Sequence, residues 1–272
     1  MMRARLSASF VYAVCMTLLA ASAAWAEESA LARLDTERME LRLAYPQFGH
    51  ARVDAALAGF AAQALERRAL DMEGECGASG QGKLARLEGR YTIFKPSPQV
   101  VSVLFTLRAT SPRWSAPRQY FATRSYWLST GEELTLAGVF ENVPEALAVL
   151  ARKCPPKLLA RILERHTQEH LEMTWFLRTR LIAPGYPMPD GEDMAEFSRR
   201  DGDGPAMRLL KNVVRGTRAV AENYKHFVLT PAGVRIQFEP LQLGGPEAGA
   251  PYVDLSLKEL REARPRLKLW GK

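Results

Sequence analysis

The sequence lacks the local motifs of the commonest enzyme templates. Its 272 residues contain no G-x-S-x-G nucleophile elbow, no Walker loop and no glycine-rich dinucleotide fingerprint. The serine-hydrolase, P-loop and Rossmann templates are therefore excluded at the level of motif. Cysteine is scarce: the three cysteines form no C-x-x-C pair and stand in no pattern of a catalytic nucleophile. Paired carboxylates exist, Glu132-Glu133 and Glu192-Asp193, but they adjoin turn or loop signals, where charged side chains are normally solvated. After the first 26 residues no segment approaches the roughly 20 apolar residues of a membrane span. There is no internal repeat, no nucleic-acid motif and no basic block with interleaved aromatics. Neither a nucleic-acid partner nor a cofactor is expected.

What is present begins with an export signal. Arg3 and Arg5 precede an apolar stretch from Phe10 to Ala21, and small residues lead to Ala24-Trp25-Ala26. A positive n-region, an apolar h-region and an A-x-A-like site together form the secretory pattern, with cleavage expected after Ala26. Cys15 lies inside the h-region, too early for a lipidated cysteine. A periplasmic or secreted location follows, with no stable membrane span after processing. Removing the first 26 of 272 residues leaves 246, enough for one large domain. Loss of Arg3 and Arg5 takes the formal charge from +7 to +5, a mild excess that favours anionic surroundings such as acidic glycans.

The two remaining cysteines, Cys76 and Cys154, enter a compartment that permits disulfides. A bond between them would close a loop of about 78 residues and stabilise the fold by roughly 4 kcal/mol on the chain-entropy model. Two buried free thiols are the alternative.

Glu37 to Tyr45 alternates apolar and polar residues as a half-buried strand does, and Pro46 is expected to end it. Val53, Leu57, Phe60, Ala61, Ala64 and Leu65 recur at helical spacing between His50 and Met72. Leu84–Phe94 and Gln99–Arg108 read as a hairpin about a proline-set turn, and Arg118–Leu128 as a further aromatic strand. Helices are expected from about Pro144 to Arg152 and from Pro156 to Arg180, with the prolines starting the second. Residues 183–206 have the composition of a mobile flap or an insertion. His226–Thr230 and Val234–Glu239 flank Pro231-Ala232-Gly233 as a second hairpin, with Gly233 suited to a left-handed position. Tyr252–Leu257 is a last strand, followed by a short helix from Lys258. The basic end, with Arg261, Arg264, Arg266, Lys268 and Trp270, reads as a solvated tail. This order predicts an α+β fold, a mainly antiparallel sheet with packed helices in a single compact body.

One segment has catalytic potential. His166-Thr167-Gln168-Glu169-His170 matches H-x-x-E-H, in which both imidazoles share a helix face and reach one zinc ion while the glutamate activates its water. The third ligand is missing from the motif, and both histidines fall on the stripe of Leu159, Ile162, Leu163 and Met173 as boundary or core residues would. A zinc-dependent envelope hydrolase using His166, Glu169 and His170 is thus the rival to a non-catalytic protein.

An ordered set of segments carries a family resemblance. Tyr45-Pro46-Gln47-Phe48 precedes the first helix, Val100-Val101-Ser102-Val103 lies in a central strand, and Leu128-Ser129-Thr130-Gly131-Glu132-Glu133-Leu134-Thr135-Leu136 precedes Val139-Phe140. Phe227 to Val234, Phe238-Glu239-Pro240-Leu241-Gln242, Ala248 to Pro251 and Leu255 to Leu260 follow. Together, from about residue 38 to 260, they resemble the RsiV-like C-terminal domain family. The resemblance implies an extracytoplasmic α+β domain found in lysozyme-sensing anti-sigma factors, where it binds lysozyme, and beside a separate catalytic domain in some peptidoglycan deacetylases. The organisation it implies is a signal peptide (1–26), a short linker (27–37), the domain (38–262, its parts meeting near residue 110) and a basic tail (263–272). A Gly-Ala-His often present in the family is replaced by Ser115-Ala116-Pro117, so no role of that histidine carries over. The few residues before the h-region leave no room for a sigma-factor-binding segment. The expectation is an exported envelope-binding domain, non-catalytic, with lysozyme or a cell-wall glycan such as peptidoglycan as partner; a structural envelope protein without a discrete ligand is a further alternative.

Overall fold

The computed structural model describes residues 28–76, 85–165, 205–243 and 251–272. Two sheets and the helices that pack on them make an α+β body. The first sheet has the order β1-β2-β3-β4-β5, formed by Glu28–Asp35, Met39–Gln47, Ala85–Ser97, Val100–Thr110 and Arg118–Trp127. The second has the order β6-β7-β8, formed by Phe227–Thr230, Gly233–Gln237 and Tyr252–Ser256. Every pairing is antiparallel except β2 with β3, which run parallel because the helix α1 (Ala51–Cys76) carries the chain across between them. Because β5 pairs along its length with β4, the first sheet draws strands from both sides of residue 110.

Alternation on the central strands sorts two cores. Leu41, Leu43, Leu87, Val101, Val103 and Phe105 point to α1 and meet Val53, Leu57, Ala61 and Leu65, all buried. The opposite face carries the second sheet, the helix Val143–Arg165 and the C-terminal residues, with Phe140, Leu150, Leu159, Tyr224, Phe238 and Trp270 at their centre. A polar contact joins these layers. Ser102 on β4 is fully buried; its Oγ accepts from the Leu229 amide of β6 (3.0 Å) and lies 2.7 Å from Ser125 Oγ on β5.

Several local expectations are corrected. The stretch read as a linker contains strand β1, an edge strand that buries little yet pairs residue by residue with β2, from Glu28 opposite Gln47 to Asp35 opposite Glu40. Pro46 does not end β2: pairing with β3 has stopped at Leu43, and a strand bonded on a single side tolerates a residue without an amide donor. After the four-residue helix α2 (Leu136–Val139), α3 runs unbroken from Val143 to Arg165 through Pro155 and Pro156. Each internal proline costs roughly 3 kcal/mol. Burial of Leu150, Cys154, Leu158, Leu159 and Ile162 along one stripe offsets that, at about 1.5–3 kcal/mol for each large side chain. Asn142 caps the helix, its Oδ1 accepting from the Glu145 amide at 3.2 Å.

Gly233 has a positive φ of +159°, away from the helical left-handed region, and β8 also requires glycine there, since a Cβ would meet Leu255 O at 2.0 Å. The left-handed glycine of the β5 turn is Gly131, at φ +73° against Arg52. The helix α4 (Pro205–Gly216) completes the second layer. Residues 263–272 are no solvated tail. Glu141 N donates to Arg264 O and Arg266 N to Val139 O, and the buried Leu269 and Trp270 close the core. The short helix expected from Lys258 is a turn followed by a 3-10 segment, Arg261–Ala263. No helix among the described residues is long and apolar enough to cross a membrane.

Ser256 and Glu259 form a reciprocal box: the Ser256 amide and hydroxyl donate to Glu259, and the Glu259 amide donates to Ser256 Oγ. Lys157 of α3 pairs with the same carboxylate at 2.6 Å. Partial burial by itself would raise the Glu259 pKa; the hydrogen bonds from Lys157 and Ser256 outweigh it and hold the group at about 2 instead of 4.5. A depressed carboxylate stabilises the fold above its unfolded pKa and stops doing so as pH falls through the folded one. The expected result is a decline of the thermal midpoint between pH 4.5 and about 2 that is shallower in Glu259→Gln. Parallel melting curves of the two proteins across that range check it.

Candidate functional site

β5 is the last strand of its sheet, so its free edge lies where α1 covers one face and the second sheet the other. The C-terminal half of that edge is closed by the following turn, with Trp127 N donating to Glu132 O (3.0 Å) and Leu134 N to Ser125 O (2.7 Å). Beside the N-terminal half is a cleft of about 290 Å³. Phe60, Arg67 and Arg68 of α1 form one wall, Phe121, Ala122 and Arg124 of β5 its floor, and Lys225, His226 and Glu239 the other wall. Alternation places Arg124 on the α1 side of the strand, while the Thr123 hydroxyl turns to the second layer and donates to Lys225 O (3.4 Å). A neighbouring cavity of about 370 Å³ is also lined by Arg124 and Lys225 and runs on to Leu136 and Val143.

The β6–β7 hairpin fixes the wall that carries the imidazole. His226 directly precedes β6, Glu239 closely follows β7, and Gln237 N donates to His226 O at 2.8 Å. His226 Nε2 donates to Glu239 Oε1 at 3.2 Å. That hydrogen bond, aided by the charges of His226, Lys225 and Arg68, holds the Glu239 carboxyl below its ordinary range against the opposing effect of burial. Among the described residues that line this cleft there is no hydroxyl or thiol.

The cations are held in place by contacts within the chain. The Arg68 guanidinium stacks 3.9 Å over the Tyr120 ring and pairs with Asp71 at 3.0 Å. Arg124 stacks 4.3 Å over Phe60, donates to Thr123 O (2.8 Å) and pairs with Glu133 at 3.3 Å. Lys225 pairs with Glu222. Arg67 is exposed and has no hydrogen bond or ion pair among the described residues. A wider hollow of about 630 Å³ opens between residues 34–39 and the C-terminal part of α1, but its charged lining of Glu37, Arg38, Glu66 and Glu73 holds no comparable fixed pair among the described residues. The basic cleft is the better candidate because its polar groups converge and are held in place.

The residues singled out by motif do not meet here. His166, Glu169 and His170 lie outside the described residues, as does Ala26 with its cleavage site. Among the described residues no three His, Cys, Asp or Glu side chains converge as metal ligands. Cys154 sits in α3, buried in the C-terminal core as a thiol whose pKa burial pushes up. The side chain of Cys76, its expected disulfide partner, lies outside the described residues. The cleft residues share no local pattern; Arg67-Arg68 and Lys225-His226 are the nearest thing to a signal, and only the fold brings them face to face.

No family model matches the sequence, nor does any curated protein. The structure is similar to that of a DUF3298 family protein from Pseudomonas aeruginosa PAO1, at 11% identity and TM-score 0.49 over 90% of this chain and 94% of that one. It is also similar to a DUF3298 family member from Bacteroides fragilis NCTC 9343, at 10% identity and TM-score 0.46 over 90% of this chain and 96% of that one.

Proposed function

We propose that this chain is an exported, non-catalytic binding domain of the cell envelope, of RsiV-like type, whose ligand is a cell-wall glycan such as peptidoglycan. The observation that carries the reading is the cleft at the β5 edge, which collects Arg67, Arg68, Arg124 and Lys225 around one carboxylate. The leader, Arg3 to Ala26, and the ordered segments between residues 38 and 260 support the envelope setting. Between the two ligands named by the resemblance, the cleft favours peptidoglycan, whose peptide stems carry carboxylates. Lysozymes are commonly basic and would meet like charge.

Sedimentation of residues 27–272 with purified peptidoglycan sacculi tests the reading, with lysozyme capture run in parallel. Cosedimentation that weakens as salt rises from 50 to 500 mM is the expected result, since exposed ion contacts are screened over that range. A protein that stays in the supernatant with sacculi present does not have this function, and capture by lysozyme alone would assign the partner to the other ligand.

A further inference from the structure

The cleft shows how it accommodates carboxylates, because three of its four cations already hold one. Asp71, Glu133 and Glu222 pair with Arg68, Arg124 and Lys225, and their side chains are 54%, 49% and 77% exposed. Exposed pairs of this kind contribute little to stability, so exchanging such a carboxylate for one on a ligand costs little. The guanidinium groups, in contrast, remain where they are when the pairs open. Arg68 and Arg124 are stacked on Tyr120 and Phe60, and Arg124 is anchored again at Thr123 O. A stacked guanidinium keeps its edge free for two parallel hydrogen bonds to a carboxylate. Glu239 is not exchangeable in this way: it is hydrogen-bonded to His226 and only about 29% exposed.

We infer that the group recognised is a ligand carboxylate, which docks at Arg67, unpaired among the described residues, and displaces the chain's own carboxylates from Arg68, Arg124 and Lys225. The inference rests on the envelope-binding reading and adds the chemistry and the contact residues. Two cavities adjoin at Arg124 and Lys225, which line both, so a ligand bearing more than one carboxylate can reach these cations from either side. Because Phe60 and Tyr120 are covered by arginines, charge outweighs sugar–ring stacking in the contact.

Isothermal titration of the mature chain decides this with three probes: a soluble disaccharide–tetrapeptide fragment of peptidoglycan, the same fragment with its carboxyls amidated, and inorganic phosphate. The free acid is expected to bind at least tenfold more tightly than the amide. The double variant R67A/K225A is expected to lose at least tenfold in affinity for the acid, while R33A/R42A, with equal charge removed at the opposite edge of the sheet, loses less than twofold. Matching circular dichroism melts establish that both variants fold. Equal affinity for acid and amide, or an unchanged affinity in R67A/K225A, overturns the inference, and if sacculi still bind, the envelope reading survives without this cleft. Binding of phosphate in preference to the fragment overturns the carboxylate assignment. Failure of the unaltered chain to bind sacculi removes the parent reading itself.

Discussion

Replacing Trp270 by alanine is expected to lower the unfolding free energy by about 3–5 kcal/mol, as deletion of a buried aromatic does. Trp270 is only 5% exposed although it stands two residues from the end of the sequence. It packs in the C-terminal core and its Nε1 donates to Thr230 O, at the end of β6, at 2.8 Å. The residues just before it are stitched to the chain after α2 by the bonds from Glu141 N and Arg266 N. Trp270→Phe keeps most of the apolar surface and removes the hydrogen bond, for a smaller loss of about 1–2 kcal/mol. Urea unfolding followed by circular dichroism and intrinsic fluorescence measures both. A loss below 1 kcal/mol in the alanine variant would show that this end of the chain adds nothing to the core.

A comparable loss of about 3–5 kcal/mol is expected for Phe105→Ala on the other face of the sheet. Phe105 is fully buried against α1, with its ring 4.9 Å from that of Phe60 and tilted by 43°. The two substitutions probe different cores, yet β4 contributes to both: Val103 and Phe105 to one, Val100 to the other. Each variant is therefore expected to unfold in a single transition, with secondary-structure and fluorescence probes giving one midpoint. Two separated transitions in either variant would show that the cores melt independently. Phe105→Ala also loosens the seat of Phe60, on which Arg124 rests, so ligand affinity is expected to fall along with stability.

Periodicity made much of the scaffold legible. The apolar spacing of Val53, Leu57, Ala61 and Leu65 announces α1, and the runs flanking Pro98 and Pro231 announce the two hairpins. What periodicity could not convey was tertiary compensation. Glu28–Asp35 is a strand because β2 offers it a partner; its own composition, with Glu28, Arg33 and Asp35, suits an exposed edge and reads as linker. Pro155 and Pro156 carry a strong local signal for a break, overruled by the apolar stripe on either side of them. The basic end looked solvated because Arg266 and Lys268 dominate its composition, whereas Leu269 and Trp270 decide its place. The candidate site was the least legible part. Its residues come from α1, from β5 and from both ends of the β6–β7 hairpin, and none of those pieces is unusual alone. H-x-x-E-H drew attention because it is contiguous.

The buried contact of Ser102 with Leu229 and Ser125 bears on the dimensions of the cleft. An amide in that environment must have an acceptor. Sliding the β6–β7 hairpin along the sheet by one residue would take the Leu229 amide away from Ser102 Oγ, so intermediate positions are penalised and the layers have a discrete setting. His226 and Glu239 ride on that hairpin, while Arg124 rides on the strand that supplies Ser125. The spacing between the imidazole wall and the Arg124 floor of the cleft is thus tied to one serine in the interior.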